Sequence, residues 1–186
     1  MKFSTQVVGD KTALSKIKRY LILKHKIANI VRRTIQGKEI IQGERSVEAQ
    51  VPDRFKRETV DYDVYSPNPK QSARETEKEL DWEFGGDYFR VKKGKHEGTY
   101  KVVANVDGEG YADYTKPNEP TPNKKIGETR YTTLRFELMK AMRTLKQKKY
   151  AYRHQKERNK IKRITSALKH QINNPKNLKG VKMKWL

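Results

Sequence analysis

Apolar positions recur at helical spacing over residues 11–36. Leu14, Ile17, Leu21, Ala28, Val31 and Ile35 stand three, four or seven apart, and Ile27 and Ile30 widen the stripe. The pattern predicts a helix, started by Asp10 or Thr12 as cap and ended at Gly37. Lys16, Lys18, Arg19, Lys26, Arg32 and Arg33 fall mostly off the stripe. No opposite charge stands four residues on to support them, so a face turned to a polyanion is favoured over a merely solvated one.

The pattern then weakens. Residues 39–86 read as mostly irregular, interrupted by Pro52, Pro67 and Pro69, with an acidic stretch from Glu75 to Glu83 good for one or two helical turns. Over 87–114 the residues turn aromatic and β-branched. Tyr88–Val91, Thr99–Val106 and Tyr111–Tyr114 predict a small antiparallel meander with turns at 92–98 and 107–110. Pro117, Pro120, Pro122 and Gly127 make 115–127 a linker. From 129 to 173 there is neither proline nor glycine, which predicts one long helix, or two with a soft joint, before Asn173-Asn174-Pro175. One stripe holds Leu134, Leu138, Ala141, Met142 and Leu145; a second holds Ile161, Ile164, Leu168 and Ile172. Between them, 146–160 is basic nearly all round.

Composition sharpens this picture. The 186 residues carry 43 Lys+Arg against 22 Asp+Glu, with no cysteine. Apolar residues are 34%, and a net charge of +21 opposes compaction unless a polyanion neutralises it. The charge is uneven. Residues 1–38 hold ten Lys/Arg and one acid, 39–127 fifteen and eighteen, and 128–186 eighteen and three. Three segments follow: a basic N-terminal helical arm at 1–38, a mixed-charge middle at 39–127, and a long basic helix with an unstructured tail at 128–186. The expected fold is α+β and extended, with little independent globular core.

Candidate chemistry is sparse. The missing cysteines exclude disulfides, a thiolate nucleophile and Cys-ligated metals. No apolar run approaches a membrane span, and no secretory leader stands at the N-terminus. Val7–Thr12 mimics a phosphate-binding loop but lacks its first glycine and places Asp10 before Lys11. Pro52-Asp53 resembles the start of a nuclease core, yet no Asp or Glu has Lys two residues on. His25, His96, His154 and His170 show no metal-ligand spacing, and no cofactor, metal or small-molecule substrate is expected.

In style the chain is similar to ribosomal proteins, particularly those of organelle ribosomes. The resemblance is one of composition alone. It implies a non-enzymatic, structural RNA-binding subunit that neutralises rRNA phosphates, bridges neighbouring ribosomal proteins and does not homo-oligomerise. The basic, acid-poor first 38 residues suggest the mitochondrial matrix, with a cytoplasmic ribosome or a nucleoid as alternatives. Expected phosphate contacts are Lys148, Lys149, Arg153, Lys156, Arg158, Lys160, Lys162 and Arg163, then Arg32, Arg33, Lys92 and Lys93; Tyr150, Tyr152 and Trp185 suit base stacking or protein packing. Two rival readings are a DNA-binding nucleoid or virion packaging protein, and an accessory subunit of a large mitochondrial membrane complex.

Overall fold

Pro69 is the residue that most changes the reading of the middle segment. A proline at the first helical position loses no intrahelical hydrogen bond and arrives with helical φ. Here it starts a 16-residue helix, Pro69–Phe84, where the sequence suggested a turn. The computed structural model describes residues 11–173, with side chains from residue 22 onward. Within them lie seven strands with mixed pairing and five α-helices, an α/β fold. The expected extended α+β chain with little core is therefore corrected. Tyr114, Ile41, Leu80, Ile164, Val31, Val47, Val64 and Val102 are all fully buried.

The chain divides into two compact units. The first comprises the chain to Gly37, Val60–Tyr62 and Asn68–Lys116. It holds α1 (Lys11–Thr34), Pro69–Phe84 (α3) and strands β3 (Phe89–Lys93), β4 (Thr99–Ala104) and β5 (Gly110–Thr115). These strands occupy the stretch read as a small meander and pair antiparallel in sequence order. Three short strands are marginal alone, and here two helices pack on them. Ile27, Ala28, Ile30 and Val31 of α1 and Ile35 just after it are buried, as are Ala73, Thr76 and Leu80 of α3. A hydroxyl chain also crosses this core: Thr34 Oγ1 lies 2.7 Å from Thr76 Oγ1, which lies 2.6 Å from the Tyr114 hydroxyl.

The second unit comprises Lys38–Thr59, Asp63–Pro67 and the chain from Pro117. The residues read as irregular supply β1 (Ile40–Gln42), α2 (Gly43–Glu48) and β2 (Tyr62–Tyr65), which begins at the edge of the first unit. β1 pairs antiparallel with β2 and parallel with β7 (Thr129–Thr132). The expected linker contains β6 (Asn123–Ile126), which pairs with β7 through a turn at Gly127, where φ is +59°. Strands of three or four residues are too short to show alternation in a sequence window.

The long helix also breaks. Residues 129–132 join a strand, then Thr133 caps α4 (Leu134–Leu145) by accepting the Phe136 N–H. A 3-10 stretch, Lys148–Arg153, leads into α5 (His154–Asn173), with Tyr150 outside helical geometry. The break falls in the basic run, where like charges oppose a regular helix and little apolar surface holds one. α5 packs Ile164 and Ala167 against Val47, Val51 and Leu134. No helix among the described residues is long and apolar enough to cross a membrane.

Candidate functional site

Two carboxylates bracket a buried tyrosine at β2. Tyr62 and Val64 are buried, and Asp63 and Tyr65 alternate with them. Strand alternation places Asp63 and Tyr65 on the opposite face from Tyr62 and Val64, and Asp61 precedes the strand. Asp61 is exposed and Asp63 half-buried. Gln42 pairs in register with Asp63, so the residue after it, Gly43, meets the Asp63 side chain. Gly43 has φ of +70°, and a Cβ there would run into the Asp63 carboxylate. Glycine is required here on both counts. A Gly43→Ala variant is expected to lose about 1–2 kcal/mol from backbone strain alone, with a further loss from displacing Asp63. Thermal unfolding measures the sum.

Behind the glycine lies a buried charge network. Glu137 of α4 is fully buried and accepts the Gly43 N–H at 2.9 Å and the Thr132 hydroxyl at 2.7 Å. Lys160 of α5 donates to its other oxygen at 2.5 Å. Burial alone would push the Glu137 carboxyl up, but Lys160, Lys140 and these hydrogen bonds outweigh it and hold it below the usual carboxylate range. Burial pulls Lys140 down, yet Glu137, Tyr65 and Asp63 together raise it above an ordinary lysine. The Lys140 ammonium donates to Gln42 and sits 5.4 Å from the centre of the Tyr65 ring. It thus lies within the field of both Asp63 and Glu137. Ser46 and Gln50 of this unit close the network on the Thr132 carbonyl, at 2.7 and 2.8 Å.

Among the described residues no group of three or more His, Cys, Asp or Glu is placed to hold a metal ion by itself. Asp63, lying against Gly43 and following Asp61 by two residues in the chain, still supplies hard oxygen donors. Magnesium takes one or two carboxylates and completes its shell with water and substrate phosphates, so the residues fit it.

The cations expected to meet phosphate fall into two groups. Lys160, Arg163, Arg153 and Arg33 are paired within the protein, with Glu137, Glu44, Glu157 and Glu83 respectively. Lys148, Lys149, Lys156, Arg158, Lys162, Arg32, Lys92 and Lys93 are exposed. Lys92 and Lys93 lie in β3, not in the turn that follows it. Tyr152 is 80% exposed, Tyr150 is half-buried, and Trp185 lies outside the described residues, as do Asp10 and the tail from 174. Sequence reasoning passed over Asp61-Tyr62-Asp63, although its acidic–apolar alternation after Ile40-Ile41-Gln42-Gly43 was visible. Two acids spaced two apart are a different signature from a carboxylate followed by lysine.

These features define an α/β protein with a strand carboxylate, Asp63, set against a positive-φ glycine, Gly43. No protein-family model matches the sequence, and no curated protein matches it. The fold does have a solved likeness, the Megavirus polyadenylate synthase, with a TM-score of 0.66 at 17% identity over 90% of this chain. The chain spans 40% of the length of that protein. At this identity the likeness is one of fold. It overturns the expectation of a non-enzymatic, structural ribosomal protein, because the fold taken to be absent is one that an enzyme carries. Nothing found supports a ribosomal or a mitochondrial assignment.

Proposed function

We propose that the protein is a nucleotidyl transferase acting on RNA, or the part of one that holds the carboxylates. The observation that carries this reading is the Asp63 carboxylate against Gly43, with Asp61 two residues before it in the chain, in a fold shared with a polyadenylate synthase. In such a transfer an RNA 3′-hydroxyl oxygen bonds to the α-phosphorus of a nucleoside triphosphate. The bond to the β-phosphate breaks and pyrophosphate leaves. The protein's task is to position the phosphates and offset their charge. Asp61 and Asp63 would hold a divalent cation, which would supply Lewis-acid stabilisation of phosphate charge. Gly43 leaves room for Asp63, and Lys140 opposes the charge that the carboxylates concentrate on this face.

The test is direct. Purified protein is incubated with labelled ATP, an RNA primer and Mg²⁺ or Mn²⁺, and the RNA is resolved on a denaturing gel. Extension of the primer is expected, with dependence on the divalent cation. Absence of extension with every nucleoside triphosphate, by a protein whose folding is verified, would reject the reading.

A further inference from the structure

α5 has two faces with opposite uses of charge. On the inner side Lys160 and Arg163 are engaged by Glu137 and Glu44, and Arg153 just before the helix by Glu157. On the outer side Arg158, Lys162 and Lys169 recur at i, i+4 and i+11, all exposed, and none makes an ion pair among the described residues. Gln155 and Asn159 share that face and hydrogen-bond to each other at 3.0 Å. The only acid of α5, Glu157, is buried. No carboxylate on this helix therefore opposes an anion laid along the outer face. At 1.5 Å per residue the helix runs about 30 Å.

Both ends of this row add an aromatic and a cation. At the C-terminal end the Phe55 ring lies 5.9 Å from that of His170, the neighbour of Lys169, and the Arg54 guanidinium sits 4.8 Å from the centre of the Phe55 ring. At the N-terminal end Tyr152 is 80% exposed, and Lys149 sits 5.1 Å from the centre of the Tyr150 ring. Phe55 is half-buried against the core, but the exposed Tyr152 ring beside cations outside ion pairs is the arrangement that takes unpaired bases: every base has a π-face, and the cations follow one phosphate backbone.

We propose that the outer face of α5, from Lys149 and Tyr152 through Arg158, Lys162 and Lys169 to Arg54, is a track for single-stranded RNA. The track rests on the nucleotidyl-transfer reading only in making that RNA the acceptor strand. Its binding is measured without nucleotide or divalent cation, so the two stand or fall separately. The experiment is fluorescence anisotropy with a labelled oligoadenylate across a range of salt concentrations. The variants are R158Q/K162Q/K169Q, Y152A and a charge-matched control on another surface, K70Q/K78Q/K116Q.

For the track triple variant the affinity is expected to fall at least tenfold, with the log–log salt slope smaller by about 2, near 0.7 for each phosphate no longer neutralised. Y152A is expected to lose about fivefold or more with its salt slope unchanged. A blunt RNA duplex of equal length should bind more weakly than the single strand. Equal losses in the track and control variants, or an unaltered slope in the track variant, would overturn the proposal. Tighter binding of the duplex would overturn its single-stranded character. If every protein fails to extend RNA while the track variant alone loses binding, the track stands and the transferase reading falls.

Discussion

Replacing Asp63 by asparagine is expected to lower primer extension by at least about 10²–10³-fold, the scale of losing one electrostatic contribution to the transition state, because the cation it would hold loses a charged oxygen ligand. The substitution keeps the shape of the side chain and removes its charge. Asp63 is half-buried, faces the Gly43 cradle, and is one of the charges acting on Lys140. Asparagine therefore leaves the register of β1 and β2 in place while the face beside Gly43 loses its carboxylate charge. Asp61→Asn should act in the same direction. The loss belongs in kcat, with RNA affinity measured in the absence of divalent cation unchanged. Retention of more than a tenth of the activity by both variants would remove these carboxylates from the chemistry.

Glu137→Ala is expected to be the most destabilising single change in the second unit, at about 3–5 kcal/mol. The estimate follows from what is left behind. Lys160 is 11% exposed and Glu137 is not exposed at all, so the variant leaves a buried ammonium without its counter-charge. The Gly43 N–H and the Thr132 hydroxyl also lose their acceptor. Glu137→Gln keeps the volume and one acceptor oxygen and should lose less, which separates charge from packing. The carboxyl is held below its ordinary range in the folded protein. Its stabilising contribution is thus complete above the pKa of the unfolded chain and is lost as pH falls through the folded value. Urea unfolding of the wild type and Glu137→Gln should accordingly converge in acid and diverge at neutral pH. Parallel curves across that range would show that the ionised carboxylate contributes nothing.

How much of this was legible beforehand can be traced through particular residues. The first helix was legible because 24 residues give an apolar stripe time to declare its period. The charge asymmetry was legible by counting. The β1 and β2 strands were not, because three or four residues carry too little periodicity, and Pro52, Pro67 and Pro69 read as interruption. Pro69 instead begins a helix whose Ala73, Thr76 and Leu80 are buried. The low apolar fraction also misled. It averages a basic surface with a core that is present, and that core includes polar side chains such as Thr76, Thr132 and Glu137, which composition counts as hydrophilic.

The candidate site divides in the same way. Asp61 and Asp63 stand two apart in the sequence, and that spacing is legible without a structure. That Gly43 comes to lie against Asp63 is a matter of register between two strands separated by nineteen residues of chain, which no local pattern encodes. The sequence by itself determined the sign and segregation of the charge, the first helix, and the absence of thiol chemistry, since each depends only on residue identity or short-range spacing. Tertiary structure alone decided which cations are free to meet a polyanion. Arg158 and Lys160 are equally basic on paper, but packing turns one to solvent and brings the other to Glu137, where a buried carboxylate holds it.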